Sequence, residues 1–284
     1  MPRKYTKIAI AYDFDGTLAP GYMQHNSFIP ELGMSSAKFW AKVKKNAKNN
    51  DMDEILAYMH LMLEEAKYRQ LTITKGAFIQ HGKDIPLFNG VDTWFERIND
   101  YGKSKKIDVR HFVISSGLRE MIEGSSIYKY FDYVFASGFK YDQNDVAIWP
   151  ALGVNYTTKT QYLFRINKGV HNSWDNKAVN KYIPDSDRPI PFSNMIFIGD
   201  GETDVPSMKM IKYQGGTAIA VWTPGQRKSK NKKTSKEIAI ELLEQDRAHL
   251  AVPADYKNGK QLDNAVKAII DKVAASEKFK KQQK

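Results

Sequence analysis

No cysteine occurs in the 284 residues, which excludes disulfides, thiolate metal sites and cysteine nucleophiles. Any bound metal must therefore be held by oxygen or histidine nitrogen, and histidine is itself sparse, with six in the chain. No apolar run approaches the ~18 residues that a membrane-crossing helix requires. Met1-Pro2-Arg3-Lys4 leads directly into a strand-like run without a signal-peptide core, so a cytoplasmic location and no membrane partner are expected. Acidic residues are outnumbered, 32 against 43 Lys and Arg, for a formal net charge of +11. That balance attracts anions from small phosphates to nucleic acids and selects weakly among them. Much of the excess lies in Arg227, Lys228, Lys230, Lys232, Lys233 and Lys236, and in Lys278, Lys280, Lys281 and Lys284. Runs of this kind are usually solvated loops and tails.

A hydrophobic content of 42% suffices for one large domain or two smaller ones. The organising stretch is Lys7-Ile8-Ala9-Ile10-Ala11-Tyr12-Asp13-Phe14-Asp15-Gly16-Thr17. Residues 8–12 read as a buried parallel strand. Alternation on extended backbone lets Asp13 and Asp15 face one point beyond the strand end while Phe14 turns inward. Gly16 permits a sharp turn that brings backbone N–H groups near a bound anion. Two acids at such a turn suit a hard cation and a phosphate.

The next seventy residues read as an inserted helical unit. Ser35 or Ser36 caps a helix to Lys48 with Phe39, Trp40 and Val43 on its apolar side, Asp51 caps a second, and Thr74 starts a third that ends near Gly82. Its aromatics and methionines read mainly as core. Helices and strands then alternate: a helix over 91–101, strands at 111–114 and 133–136 with a helix over 118–123 between them, and a hairpin over 140–154 turning at Asp142-Gln143-Asn144-Asp145. A helix over 160–168 stops at Gly169. Strands at 195–199, 217–221 and 249–252 and a closing helix over 262–273 complete the chain. This pattern predicts an α/β fold, a doubly wound, Rossmann-like parallel sheet with a small inserted helical cap. The expected division is a core of 1–18 and 85–272, a cap of 19–84 and a basic C-terminal tail of 273–284.

Three predicted strands finish in polar residues: Asp13 and Asp15, then Ser115-Ser116-Gly117, then Asp200-Gly201-Glu202-Thr203-Asp204. Parallel strands deliver all three to one edge of the sheet. These segments resemble the first, second and fourth motifs of the haloacid-dehalogenase-like superfamily of phosphohydrolases, most nearly its phosphoserine-phosphatase-like branch, which places a small cap where the helical insert falls.

The resemblance implies that Asp13 is the nucleophile that forms an aspartyl phosphate and that Asp15 protonates the leaving alcohol and then activates water. It implies Mg²⁺ bound by the carboxylates of Asp13 and Asp200 and the backbone carbonyl of Asp15, with Asp204 supporting the metal shell. Ser115, with Ser116 and Gly117, would hold the substrate phosphate. The third motif is a lysine that neutralises Asp13 and the phosphate; Lys159, Lys168 and Lys177 all compete for it. Lys159 is the choice, because it follows a predicted strand and opens a helix with a clear end. Glu202 adds an acid whose role the sequence leaves open.

The leading expectation is a Mg²⁺-dependent phosphomonoesterase acting on a small phosphorylated metabolite, since a lidded site admits a bulky polymer poorly. A phosphatase acting on nucleic-acid ends, suggested by the basic stretch 227–236, ranks second. A catalytically silent basic module that binds phosphorylated ligands ranks third, because a binder has no need of Asp15. The particular ester and the oligomeric state are not legible.

Overall fold

The computed structural model describes residues 5–228 and 233–282, without the side chains of Glu202 and Lys281. Lys230, Lys232 and Lys284 of the basic stretches, and the open question of Glu202, thus lie outside the described residues.

Strand β1 (Thr6–Tyr12) is buried from Ile8 onward. The insert follows: a single 3₁₀ turn at Met23–His25, then α1 (Phe28–Glu31), α2 (Ser36–Asn50), α3 (Glu54–Tyr68) and α4 (Lys75–Lys83). After α5 (Val91–Ser104) come β2 (Ile107–Leu118), α6 (Arg119–Gly124), β3 (Tyr133–Tyr141), β4 (Ala147–Leu152), α7 (Lys159–Lys168) and the short α8 (Asn176–Asn180). The chain continues through β5 (Met195–Gly199), α9 (Val205–Tyr213), β6 (Thr217–Trp222), α10 (Ser235–Glu244), β7 (Leu250–Pro253) and α11 (Gln261–Gln282).

The strands form one sheet of order β4-β3-β2-β1-β5-β6-β7. All neighbours are parallel except the β3–β4 hairpin at one edge. Alternation along β1 feeds two cores. Ile8, Ile10 and Tyr12 pack with α5, α11 and the insert, whereas Ala9 and Ala11 pack with α7, α9 and α10. The sheet is thus doubly wound, and its winding reverses between β1 and β5, where ligand crevices open in such folds.

The insert is seated on the sheet at several points. Backbone bonds Lys75 N to Asp145 O and Ala147 N to Ile73 O, both 2.9 Å, join it to the β3–β4 hairpin. Helices α4 and α6 approach at glycines, since a Cβ on Gly82 would meet the Met121 carbonyl and one on Gly124 the Ile79 carbonyl.

Several details differ from the sequence reading. Asp53, not Asp51, caps α3, accepting from Ile55 N and Leu56 N at 2.9 and 3.1 Å; Asp51 instead ends α2 in left-handed backbone (φ 50°), a conformation Asp tolerates. The short helix α1 is additional. Strand β2 extends beyond 111–114 at both ends, because polar Asp108 and Arg110 alternate with buried Ile107 and Val109. Helix α11 runs past Val273 to Gln282, since no Gly or Pro interrupts the helix formers that follow.

Candidate active site

The C-terminal edge of the sheet brings the three motif segments together. Asp13 N donates to Ile198 O at 2.9 Å, carrying the β1–β5 ladder one residue past the strand. That pairing sets Asp13 beside Gly199 and Asp200. On the other side Tyr12 pairs with Val113, which places Ser115 next to the turn that follows Asp13. The turn closes when the Leu18 and Ala19 amides donate to the Phe14 carbonyl at 2.9 and 3.1 Å. Phe14 is buried in the apolar core, as alternation predicts. Gly16 has φ +75°, and a Cβ there would fall within the Asp200 carboxylate, so the turn rests directly on that acid.

A fully buried lysine joins two of the acids. Lys159 opens α7, and its Nζ lies 2.9 Å from Asp13 Oδ2 and 2.7 Å from Asp204 Oδ1. Asn155 organises this helix start, its Oδ1 accepting from Thr158 N at 3.0 Å. Of the other two lysines, Lys168 Nζ caps the Val179 and Lys181 carbonyls at 2.7 and 2.8 Å, and Lys177 is exposed. Burial opposes the charge of Lys159, but Asp13 and Asp204 outweigh it and hold the ammonium above its ordinary range. The second Asp204 oxygen, Oδ2, accepts from Asp200 N at 3.1 Å. Both oxygens of Asp204 are thus committed. Burial pushes its carboxyl up while Lys159 pulls it down; the 2.7 Å contact favours the ionised pair.

Asp15 has a different environment. Its Oδ1 accepts from Met23 N at 3.0 Å, and its Oδ2 lies against Gly117, where a Cβ would be 3.3 Å away. Burial first, and then the neighbouring Asp13 charge, raise its carboxyl well above the usual range. Ser115 is buried, and its Oγ accepts from Gly117 N at 3.0 Å, which leaves its own hydrogen to be donated. Ser116 Oγ is buried without a partner, while its carbonyl accepts from Tyr58 Oη and Ser137 Oγ at 2.8 and 3.1 Å.

The oxygen set matches a hard divalent cation. Carboxylate oxygens of Asp13, Asp200 and Asp204 lie within 4.8 Å of one another. Asp204 is occupied by Lys159 and the Asp200 amide, whereas the Asp200 carboxylate has no hydrogen-bond or ion-pair partner among the described residues. Burial and then the Asp13 and Asp204 charges raise Asp200 well above the carboxylate range, the mark of an acid lacking its counter-charge. With no sulfur or histidine ligand, such a group of oxygens suits Mg²⁺.

Several neighbours are not legible from sequence spacing. Tyr22, His25 and Trp40 of the insert form a contiguous aromatic group beside the Asp15 turn, with 5.2 Å between the Tyr22 and His25 ring centroids and 5.6 Å between those of Tyr22 and Trp40. Tyr22 precedes and His25 ends a 3₁₀ turn too short to show a period; the one available signal is the density of aromatics just after the first motif. Asp53 also reaches from the insert to the core, accepting from Asn155 Nδ2 at 2.5 Å.

Residues 10–209 match the haloacid dehalogenase-like hydrolases, and the chain belongs to that family. An uncharacterized protein of Borreliella burgdorferi is 30% identical over 228 residues, which cover 72% of this chain and 78% of that one. The fold also resembles a HAD family hydrolase of Salmonella enterica serovar Typhi, at 20% identity and TM-score 0.51 over 78% of this chain; the chain spans 64% of that protein's length. A probable phosphoserine phosphatase of Vibrio cholerae superposes with TM-score 0.56 at 13% identity, over 96% of this chain and 67% of that one. These two likenesses are likenesses of fold.

Proposed function

We propose that the protein is a Mg²⁺-dependent phosphomonoesterase for a small phosphorylated molecule, working through a phosphoaspartyl intermediate on Asp13. The observation that carries this reading is the pairing of Asp13 with the buried Lys159 at 2.9 Å, beside a second acid, Asp15, that has no cation of its own among the described residues and whose carboxyl burial raises well above the usual range. Lys159 orients Asp13 and reduces its repulsion of an incoming phosphate. An Asp13 oxygen bonds to phosphorus as the ester P–O bond breaks, and Asp15 gives its proton to the departing alkoxide. In the second half Asp15, now a carboxylate, takes a proton from water as that water attacks phosphorus, which frees Asp13 and inorganic phosphate. Ser115 donates its hydroxyl hydrogen to a phosphate oxygen. Asp13, Asp200 and the Asp15 carbonyl would hold Mg²⁺, which when bound supplies positive charge against the phosphate oxygens.

The helical insert, residues 19–84, acts in this reading as a cap that limits water and selects the leaving group. The nucleic-acid-end alternative is weakened by the described part of the basic stretch. Lys228 and Lys233 pair with Glu237 and Glu241 on α10 at 2.7 and 2.6 Å, and Lys236 lies over the Trp222 ring. Those charges are directed at the protein itself. The test is a panel of phosphate esters with Mg²⁺, followed by chelator. Turnover with Mg²⁺ that is lost on chelation is expected; full turnover by metal-free protein would remove the mechanism, and binding without turnover of any ester would leave the silent-module reading.

A further inference from the structure

The insert turns an uncharged aromatic wall toward the mouth of the site. Met23, whose amide is bonded to Asp15, lies between Tyr22 and His25 on the 3₁₀ turn. Trp40 Nε1 donates to His25 Nε2 at 2.6 Å, and the Trp40 ring lies 5.7 Å from that of Tyr58. Tyr58 in turn bonds the Ser116 carbonyl. The rings therefore run without a break from the Asp15 turn to the Ser115–Gly117 segment.

The wall carries no charge near neutral pH. The bond from Trp40 leaves the hydrogen of a neutral His25 on Nδ1, and burial lowers that ring's pKa. Tyr22 is 55% exposed, too exposed for a core residue. It is also close enough to the acids that, after burial, the charges of Asp200, Asp15 and Asp13 all hold its phenol above the ordinary range. Tyr156, 42% exposed, is a further group felt by that phenol and lies on the segment leading to Lys159. An amino-acid leaving group would bring an ammonium and a carboxylate into this space, and neither finds an opposite charge on the wall. Among the described residues the only cation in ion-pair reach of the site's carboxylates is Lys159, already shared by two of them.

We propose that Tyr22, His25 and Trp40 form a stacking subsite, and that the substrate is a phosphate monoester whose leaving alcohol carries a planar aromatic or heteroaromatic ring. This rests on the phosphatase reading above. It departs from the phosphoserine named for the Vibrio cholerae fold neighbour. Stacking on aromatic side chains tolerates many rings because each presents a π face, and it is worth about 5- to 150-fold in affinity per ring.

Matched pairs isolate the ring from the reacting phosphate: adenosine 5′-monophosphate against ribose 5-phosphate, and benzyl phosphate against propyl phosphate, with phosphoserine alongside, all with Mg²⁺. The ring-bearing member of at least one pair should show a kcat/KM about tenfold or more above its partner and above phosphoserine; the pair with the larger ratio separates a nucleoside from a simple aryl group. Tyr22→Leu and Trp40→Leu should pull that ratio toward unity, and Trp40→Phe should keep most of it. Tyr22 is exposed enough that its substitution does not threaten the fold. Ratios near unity in the wild type, a best rate on phosphoserine, or a ratio unmoved by both leucine variants would overturn the proposal. If no ester is hydrolysed, the phosphatase reading fails separately, and the intact esters are then titrated by calorimetry. Tighter binding of the ring-bearing member that is lost in Tyr22→Leu sustains the subsite, and equal affinities refute it.

Discussion

Replacing Lys159 by Met probes the electrostatic centre of the site, because its ammonium is fully buried and contacts Asp13 and Asp204 at 2.9 and 2.7 Å. At an effective dielectric of about 20, each contact is worth about 6 kcal/mol of attraction. Desolvation of the ions offsets several kcal/mol of that for each, so the pair contributes little net stability, yet removing one partner strands the others. The expected cost of Lys159→Met is about 3–5 kcal/mol at pH 7.5, measured by urea unfolding with chelator present so that no cation substitutes. The sign of the pH dependence follows. Burial already raises the Asp204 carboxyl to about 6 against the pull of Lys159; without the ammonium it rises further above its unfolded value, so the folded variant binds more protons. The deficit of the variant should therefore shrink as pH falls from 7.5 toward 5. Adding Asp204→Asn should give a double variant less unstable than the two single costs added, with a coupling of about 1–3 kcal/mol. Stability within about 1 kcal/mol of wild type, together with a parallel pH profile, would refute the buried ion pair.

Asp15→Asn should slow esters with poor leaving groups about 10²- to 10⁴-fold while sparing an activated aryl phosphate in the first step, and any phosphoenzyme formed should persist; equal losses on both ester types would deny Asp15 the proton-transfer role. Asp13→Asn should abolish phosphoenzyme, read by acid-quenched labelling, and labelling that survives would move the nucleophile elsewhere. Gly16→Ala should cost about 1–2 kcal/mol for its left-handed backbone and, by displacing Asp200, weaken divalent-ion dependence about 10- to 100-fold; an unaltered metal titration would contradict the packing seen there. His111 is buried, accepts from Tyr12 Oη at Nδ1 (3.0 Å) and faces Asn99 Oδ1 with Nε2 (3.0 Å), and burial lowers its pKa from 6.5 to about 3. The unfolded chain binds that proton first, so stability should fall as pH drops from 6.5 toward 3, by up to about 1.4 kcal/mol per unit; His111→Asn should flatten the slope by that amount, and an unchanged slope would show that the ring is already charged.

The parts of the site carried by one strand and its turn are legible because their physics is local. Asp13 and Asp15 follow an apolar run, and Gly16 follows them, so position and turn can be read from spacing alone. Alternating helices and strands predict a parallel sheet that carries these acids to one edge, whereas the strand order that sets Asp200 beside Asp13 is seen only in the fold. Lys159 is less accessible: Lys159 and Lys177 both stand at starts of helical segments, and which of those starts points back under the sheet edge is seen only in the fold. The aromatic wall is least legible. Trp40 sits on the apolar side of an amphipathic helix, where spacing suggests core, and only the fold shows that its ring meets Tyr22 and His25 beside the Asp15 turn. The Asp51 and Asp53 difference is similar in kind, since two aspartates separated by one residue offer equivalent caps until the left-handed turn at Asp51 selects one.

The arrangement also explains why three carboxylates can be concentrated on a sheet edge that folding would otherwise disfavour. When Asp13, Asp200 and Asp204 are all ionised, Lys159 balances one of their three charges and leaves two. Another lysine would meet the same charge count only in pairs, and each long side chain would occupy space needed by the substrate. In the proposed mechanism a single divalent cation on the oxygen atoms of Asp13 and Asp200 would balance both charges in a volume smaller than one ammonium stem. The division of labour is already built into the hydrogen bonds. Asp204 spends both oxygens on Lys159 and the Asp200 amide, fixing the frame, while Asp200 spends none within the protein among the described residues. On that proposal, only when the acids are balanced would a phosphate dianion meet a site that is not repulsive, with the Ser115 hydroxyl available to one of its oxygens and a net charge of +11 on the whole chain drawing it in.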